Sequence, residues 1–196
     1  MPGMTTELSW DRFEAGRPDL ADAGRGLLYQ FGVGLAFLST VRPDGGPRLH
    51  PVCPVLVSGR LLVHVIPSRK RDDLHRDGRY ALHSFPVEGN EDAFYLTGRA
   101  VPVTDGAVTA AAAAQFLAER KLDAEPPGFS DGEFFEFLVG RCLLTRTEGY
   151  GDWHPRHTVW PARDQPKGTV LRLPARSCWA SGVRGPDQAR IMPQQL

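Results

Sequence analysis

Three predicted β-strands follow one another with only hairpin-length turns between them, and this order restricts the fold more than any other feature of the chain. They cover residues 34–41, 48–57 and 61–66, and the turns between them are Pro43-Asp44-Gly45-Gly46 and Ser58-Gly59. Parallel strands need a crossover of about a dozen residues or more, so strands joined by such short turns are antiparallel. The order therefore disfavours a doubly wound sheet, which is built from repeated strand-helix-strand units.

Helices are predicted before and between the strands. The spacing of apolar residues predicts a helix over residues 19–31, and an alanine-rich stretch predicts another over residues 109–120. A shorter helix over residues 68–77 would end at Gly78. Two further strands are predicted on the far side of that glycine, over residues 80–85 and 94–103.

The segment after residue 128 is predicted to contain one more helix and the last strand. Ser130 and Glu133 have the spacing of a capping box, which predicts a helix over residues 133–138. Residues 140–147 then read as a half-buried strand, the sixth of the chain.

Six short strands with inserted helices predict a mainly β fold, an antiparallel barrel with helical caps. We expect an N-terminal helical segment over residues 1–33, the barrel domain over residues 34–164, and a poorly ordered tail over residues 165–196. The tail is rich in proline, glycine and arginine and shows no clear period.

Charge and cysteine content exclude several classes of protein. The chain has 23 basic and 23 acidic residues, so no net field draws it to nucleic acid or to an anionic membrane. Its cysteines, Cys53, Cys142 and Cys178, are too widely spaced for a zinc site or a redox dithiol, which predicts reduced thiols and a cytoplasmic protein. The N-terminus has charges where a signal peptide needs an apolar run.

The segment Ser68-Arg69-Lys70-Arg71 is the most informative local feature. Ser68 is a good N-cap, yet three cations follow it at the positive end of the helix dipole, which disfavours each of them. A bound phosphate would compensate, because backbone N–H groups, a hydroxyl and cationic side chains can converge on one dianion. The alternative is a solvated basic turn neutralised by Asp72 and Asp73.

Ser68-Arg69-Lys70, between a strand and a helix, resembles the phosphate-binding segment of the pyridoxamine 5'-phosphate oxidase-like superfamily. The preceding hairpin, residues 36–52, is similar to the first two strands of that superfamily, and the likeness extends over residues 34–103 and more weakly to residue 160. The resemblance implies a six-stranded antiparallel split β-barrel that forms a homodimer with a cofactor groove at the subunit interface. The cofactor would be FMN or a 5-deazaflavin.

The resemblance also implies a set of cofactor-binding residues. Ser68, Arg69 and Lys70 would hold the phosphate, and Ile66 and Pro67 would border the ribityl chain. The residues expected to line the ring are His50, Pro51 and Val52.

His50 is in addition the candidate catalytic residue, since an imidazole beside the ring could relay a proton near neutral pH. The same position also suits a hydrogen-bonded strand histidine with no catalytic role. No metal site is predicted: His154 and His157 are three residues apart but have no cysteine or carboxylate set beside them.

The sequence departs from pyridoxamine 5'-phosphate oxidase itself. That enzyme has an Arg-x-x-Leu-Leu-Lys pattern on its second strand, whereas residues 48–53 here read Arg-Leu-His-Pro-Val-Cys. Its substrate-binding C-terminal segment is not recognisable either. The expected function is therefore hydride transfer to or from a small unidentified substrate, with two alternatives: a non-catalytic flavin-, haem- or bilin-binding protein, or a haem-degrading oxygenase.

Overall fold

The computed structural model describes residues 7–161, so the predicted tail over residues 165–196 lies outside the described residues, as does Cys178. In this part the chain forms four helices and eight strands. In chain order they are α1 (Trp10–Gly16), α2 (Pro18–Leu28), β1 (Ala36–Val41), β2 (Pro47–Val52), β3 (Pro54–Val57), β4 (Arg60–Val65), α3 (Arg69–Arg76), β5 (Arg79–Ser84), β6 (Ala93–Pro102), α4 (Gly106–Glu119), β7 (Glu133–Arg146) and β8 (Arg156–Trp160).

All the strands belong to one antiparallel sheet that curls into an open half-barrel. Seven of them are hydrogen-bonded in the order β2-β1-β5-β6-β7-β4-β3, and β8 pairs with the second half of β7. The two outermost strands, β2 and β3, are separated in the chain by Cys53 alone. The chain therefore passes directly from one edge of the sheet to the other.

The concave side of the sheet is filled by side chains from the strands and from the first two helices. Phe135 and Phe137 of β7 are fully buried, as period-2 alternation requires of residues that face a core. Trp10 and Phe13 of α1 close this core, where Trp10 packs edge-on against Phe94 with ring centroids 6.3 Å apart. These contacts hold the N-terminal helices on the sheet.

A second, smaller core lies under α4 and contains Val55, Leu62, Ala112, Phe129 and Phe134. Helix α4 begins at an aspartate cap: the Asp105 carboxylate accepts hydrogen bonds from the N–H groups of Ala107 and Val108. The end of α4 is tied to the rest of the protein by Tyr29, whose hydroxyl donates to Glu119 at 3.0 Å. The same hydroxyl accepts the N–H of Leu56 at 2.8 Å.

The prediction of a helix over residues 133–138 is wrong, because these residues form the first part of β7. Glu133 pairs with Val65 of β4, and Phe135 is opposite both Val63 of β4 and Pro102 of β6. The capping-box spacing is a local preference, and pairing on two sides together with three aromatic residues outweighs it. Residues 133–146 therefore form one 14-residue strand instead of a helix followed by a strand.

The number of strands also differs from the six expected. The segment 48–57, predicted as one strand, is divided at Cys53 into β2 and β3, which belong to opposite edges of the sheet. Periodicity does not reveal this division, because the apolar pattern continues through the bend. The mainly β, antiparallel split-barrel architecture is confirmed. Within residues 7–161, no helix has the length and apolar character needed to cross a membrane.

Candidate functional site

A wedge opens in the sheet where β2 and β4 separate, and we call it the split. Pairing between β3 and β4 ends at Pro54 and Val63. Beyond this point β2 pairs with β1, while β4 continues to Val65 and leads into α3. The predicted cofactor residues of the hairpin therefore lie on one side of the split, and those of the Ile66–Lys70 segment lie on the other.

The three residues predicted to line the ring do not share one face of β2. His50 is half-buried and lies opposite Leu38, whose side chain is in the core, and Val52 is buried on the same face. Pro51 is exposed on the other face, opposite Phe37. Because successive strand residues alternate, His50 and Val52 can contact a ligand together, but Pro51 faces the opposite way.

The first turn of α3 has no side-chain cap. Ser68 occupies the N-cap position, but its hydroxyl donates to the carbonyl of Ile66 at 2.9 Å instead of accepting a helix N–H. The first N–H groups of a helix have no partner within the helix, so those of α3 remain available to an anion. Ile66 and Pro67, which lead into this turn, are exposed.

The three cations of this turn point in different directions, as residues about 100° apart on a helix must. Arg69 is exposed and faces the β1–β2 hairpin, whereas Lys70 is half-buried near Cys53 and His64. Arg71 is turned toward Glu133, 3.6 Å from its carboxylate, and donates to the carbonyl of Asp131. Arg69 and Lys70 form no ion pair with any residue in the described range.

Lys70 is the cation that reaches the split. Burial lowers its pKa, and a negative charge on the nearby Cys53 would act in the opposite direction. Partial burial of an ammonium without a carboxylate partner has a desolvation cost, and a bound anion would reduce that cost. This feature favours the phosphate hypothesis over a solvated basic turn.

Arg69 lines a cavity of about 610 Å³ between α3 and the hairpin. The cavity walls are Arg42, Pro43, Asp44, Arg48, Arg69, Asp72 and Asp73. Two of its three arginines are already paired, Arg42 with Asp44 at 2.6 Å and Arg48 with Asp73 at 2.7 Å. Of the three arginines in this cavity, Arg69 is therefore the one whose guanidinium is available to bind a ligand.

Asp73 anchors α3 to the hairpin. Its carboxylate is 3% exposed and accepts hydrogen bonds from Arg48 Nε at 2.7 Å and from the Thr40 hydroxyl at 3.0 Å. Burial alone would raise the pKa of this carboxyl, but the bonds from Arg48 and Thr40 outweigh it and the pKa is lowered. The alternative interpretation, in which Asp72 and Asp73 neutralise the first-turn cations, is thus not observed for Asp73, which binds the hairpin instead.

The sequence matches no protein-family model and no curated protein. Solved structures do match. A heme-binding protein from Mycobacterium smegmatis aligns with 69% of this chain at 21% identity and a TM-score of 0.50, and the chain spans 57% of that protein. A NimC/NimA family protein from Clostridium acetobutylicum aligns with 70% of this chain and 93% of its own length, at 15% identity and a TM-score of 0.50.

A Listeria innocua protein named after pyridoxamine 5'-phosphate oxidase aligns over 63% of this chain and 95% of its own length, at 13% identity and a TM-score of 0.50. The chain shares the split-barrel fold of these proteins. At these identities the likeness concerns the fold, and the chemistry of this split barrel has to be argued from its own residues.

Sequence reasoning missed the residues that hold the split-barrel site in place. Arg48 and Asp73 are the central pair, and neither was singled out for this role. Two signals were available: Arg48 lies two residues before His50 on the same strand face, and Asp73 lies four residues after Arg69 on the same helix face. Their pairing across 25 residues of sequence could not be read from either signal alone.

The tryptophan and histidine side chains near the end of the described range lie away from the split. Trp160 packs against Phe13 with ring centroids 5.2 Å apart, whereas Trp153 is 92% exposed. His157 contacts the Thr145 hydroxyl at 3.0 Å. Across residues 7–161, no three histidine, cysteine or carboxylate side chains are grouped as a metal site would require.

Proposed function

We propose that this protein binds a flavin or 5-deazaflavin cofactor at the split, with the cofactor phosphate at the first turn of α3, and works as an oxidoreductase. The observation that carries the proposal is the uncapped start of α3, where Ser68 leaves the N–H groups free and neither Arg69 nor Lys70 has an ion-pair partner within residues 7–161. The reaction would be hydride transfer to or from a small substrate.

The donor set fits a phosphate monoester better than a neutral ligand. Backbone N–H groups at a helix start favour an anion, Arg69 offers a bidentate fork, and Lys70 offers a compact charge on a flexible stem. Arg69 and Lys70 point to two sides of the helix axis, so each would reach the phosphate from its own side of the first turn. Ile66 and Pro67 would border the chain that joins the phosphate to the ring.

The chain's own residues would orient the ring and keep water away from one side. His50 and Val52 present an imidazole and an apolar side chain on the same face of β2, and His50 would hold or relay a proton there. Pro51 lies on the opposite, exposed face of β2, so it would not line the ring together with His50 and Val52. When bound, the cofactor supplies the hydride chemistry, and the protein supplies orientation and a dry pocket.

The absorption spectrum of the purified protein, followed by mass spectrometry of the ligand that heat releases, tests this proposal. We expect a flavin or a deazaflavin, and FMN and a deazaflavin differ in both spectrum and mass. Steady-state turnover with NADPH or a reduced deazaflavin would then separate an enzyme from a protein that only stores or senses the cofactor. A protein that neither retains nor takes up either cofactor would contradict the proposal.

A haem or bilin ligand is the second candidate. The observation in its favour is the likeness to the heme-binding protein of Mycobacterium smegmatis, which has the same fold. In that case the protein would be a non-catalytic binder or a haem-degrading oxygenase, and an axial histidine would be needed. A Soret band on addition of hemin, in place of flavin uptake, would support this candidate.

We further propose a cytoplasmic homodimer. The outer face of the hairpin has exposed apolar residues, among them Leu49, which is 64% exposed, and its neighbour Pro51. Apolar surface of this kind beside a ligand groove is typical of subunit contacts. The two cysteines within the described range, Cys53 and Cys142, are free thiols, which supports a reducing compartment.

Leu49→Glu should convert the dimer to a monomer, because it places a charge within the proposed apolar contact. Leu122→Glu is the matched control, since Leu122 is also an exposed leucine, at 40%, but lies in the loop after α4. Sedimentation velocity of the two variants and the parent protein measures the effect. A parent protein that is monomeric at all concentrations, or a Leu49→Glu variant that stays dimeric, would contradict the proposed contact.

A further inference from the structure

A second cavity, of about 390 Å³, lies under α4 and shares no residue with the Arg69 cavity. One wall is the smooth face of α4 formed by Gly106, Ala110 and Ala113, and the opposite wall is aromatic. This volume is near the lower end of the range of about 300–1,000 Å³ that is usual for small-molecule sites.

The aromatic wall is rigid. The imidazole of His64 stacks on Phe129 with ring centroids 3.9 Å apart and an interplanar angle of 13°, and it meets Phe134 edge-on at 5.0 Å. Both phenylalanines are buried. The backbone of Gly132 lies so close to the His64 ring that a Cβ atom there would collide with it. The wall is therefore in place before any ligand arrives.

The charges in the cavity wall are all negative. The ionisable residues that line it are Glu125, Glu133 and His64, without any lysine or arginine. Burial lowers the pKa of His64 and outweighs the opposing effect of the nearby Glu125 carboxylate, so burial favours the neutral imidazole. Glu133 is bound by His75 at 2.7 Å and lies 3.6 Å from Arg71.

Glu125 is the carboxylate left without a counter-charge. It forms no ion pair with any side chain in the described part of the chain. The helix dipole of α4 would favour an anion near Gly106, but the Asp105 carboxylate already caps that end of the helix. An unpaired carboxylate in a wall without any lysine or arginine favours a cation.

We propose that this cavity binds a small organic ammonium compound, with its charged group at Glu125 and its apolar part between α4 and the Phe129–Phe134 wall. Such a site shares no lining residue with the Arg69 cavity, although its His64 lies near Lys70 of the proposed phosphate site. Its ligand class is an arylalkylamine or a similar compact amine, because the cavity is small, mostly apolar and has a carboxylate at one side.

Isothermal titration of the full-length protein with phenethylamine, and with phenethyl alcohol as its neutral isostere, tests the site. We expect the amine to bind at least about fivefold more tightly than the alcohol, since only the amine gains the interaction with Glu125. Glu125→Gln should reduce that preference to about one, and because Glu125 is exposed this variant should fold normally.

Glu88→Gln is the control, because it removes the same charge from an exposed loop on another side of the sheet. It should leave the preference for the amine unchanged. Equal affinities for amine and alcohol, a preference that survives Glu125→Gln, or no saturable binding of either compound up to about 10 mM would overturn the proposal.

Discussion

Replacing Arg69 and Lys70 together with alanine should lower the affinity for the phosphate-bearing cofactor at least about 100-fold. Each side chain is expected to make one charge-assisted hydrogen bond to the phosphate, and such bonds contribute about 1.5–3 kcal/mol each. Neither residue makes an ion pair with the described part of the protein, so the loss should appear in binding and hardly in stability. Fluorescence titration of the apoprotein with FMN, or with a deazaflavin, measures the effect.

Two control variants make this experiment specific. Arg12→Ala/Arg79→Ala removes two exposed cations that lie away from the first turn of α3, and it should bind the cofactor as the parent protein does. Arg71→Ala removes a cation that belongs to the same turn but faces Glu133. It therefore tests whether binding depends on the direction in which a cation of this turn points. A double variant at Arg69 and Lys70 that keeps full affinity would show that the phosphate, if any, is bound elsewhere.

Asp73→Asn should lower the free energy of unfolding by about 2 kcal/mol. The substitution keeps the shape of the side chain but leaves the half-buried guanidinium of Arg48 without its counter-charge, and breaking such a pair is strongly destabilising. Urea denaturation of the variant and the parent protein gives the difference. Asp72→Asn is the matched control, since Asp72 is the exposed neighbour and forms no ion pair within residues 7–161.

The stability that Asp73 contributes should also depend on pH. Its pKa is lower in the folded protein than in the unfolded chain, so the folded state binds fewer protons. The contribution is fully present above the unfolded pKa of about 3.9 and is lost as the pH falls through the folded value. The difference between parent protein and Asp73→Asn should therefore shrink in acid. A difference that stays constant from neutral pH down to about pH 3 would contradict this account.

The sequence predicted most of the helices and turns whose formation depends on residues close together in the chain. The turn at Gly45-Gly46, the alanine-rich α4 and the short α3 ending before Gly78 all depend on neighbouring residues, and each was placed within a few positions. The helix prediction for residues 133–138 failed because the strand they form is specified by partners far away in sequence. Leu62 and Val101, for example, both lie opposite Glu136. Helix α1 was missed because it is only seven residues long.

The candidate site was predictable as a list of residues but not as an arrangement. Ser68, Arg69 and Lys70 do lie at the start of a helix beside the split, as expected. The divergence of Arg69 and Lys70 follows from helix geometry, yet what each one faces depends on the hairpin and on the bend at Cys53. The Ser68 hydroxyl donates to the carbonyl of Ile66 instead of capping the helix, and the residue type alone does not predict which of these bonds a serine makes.

Strand β7 has a consequence for how the protein is made. It pairs with β4, β6 and β8, so without it the sheet separates into a four-stranded piece, β2-β1-β5-β6, and the β3–β4 hairpin. During synthesis the ribosome must release residues 133–146 before these pieces can join, and until then both expose unpaired strand edges. Nascent chains shorter than this are the forms in which the protein is most exposed to aggregation and most in need of chaperones.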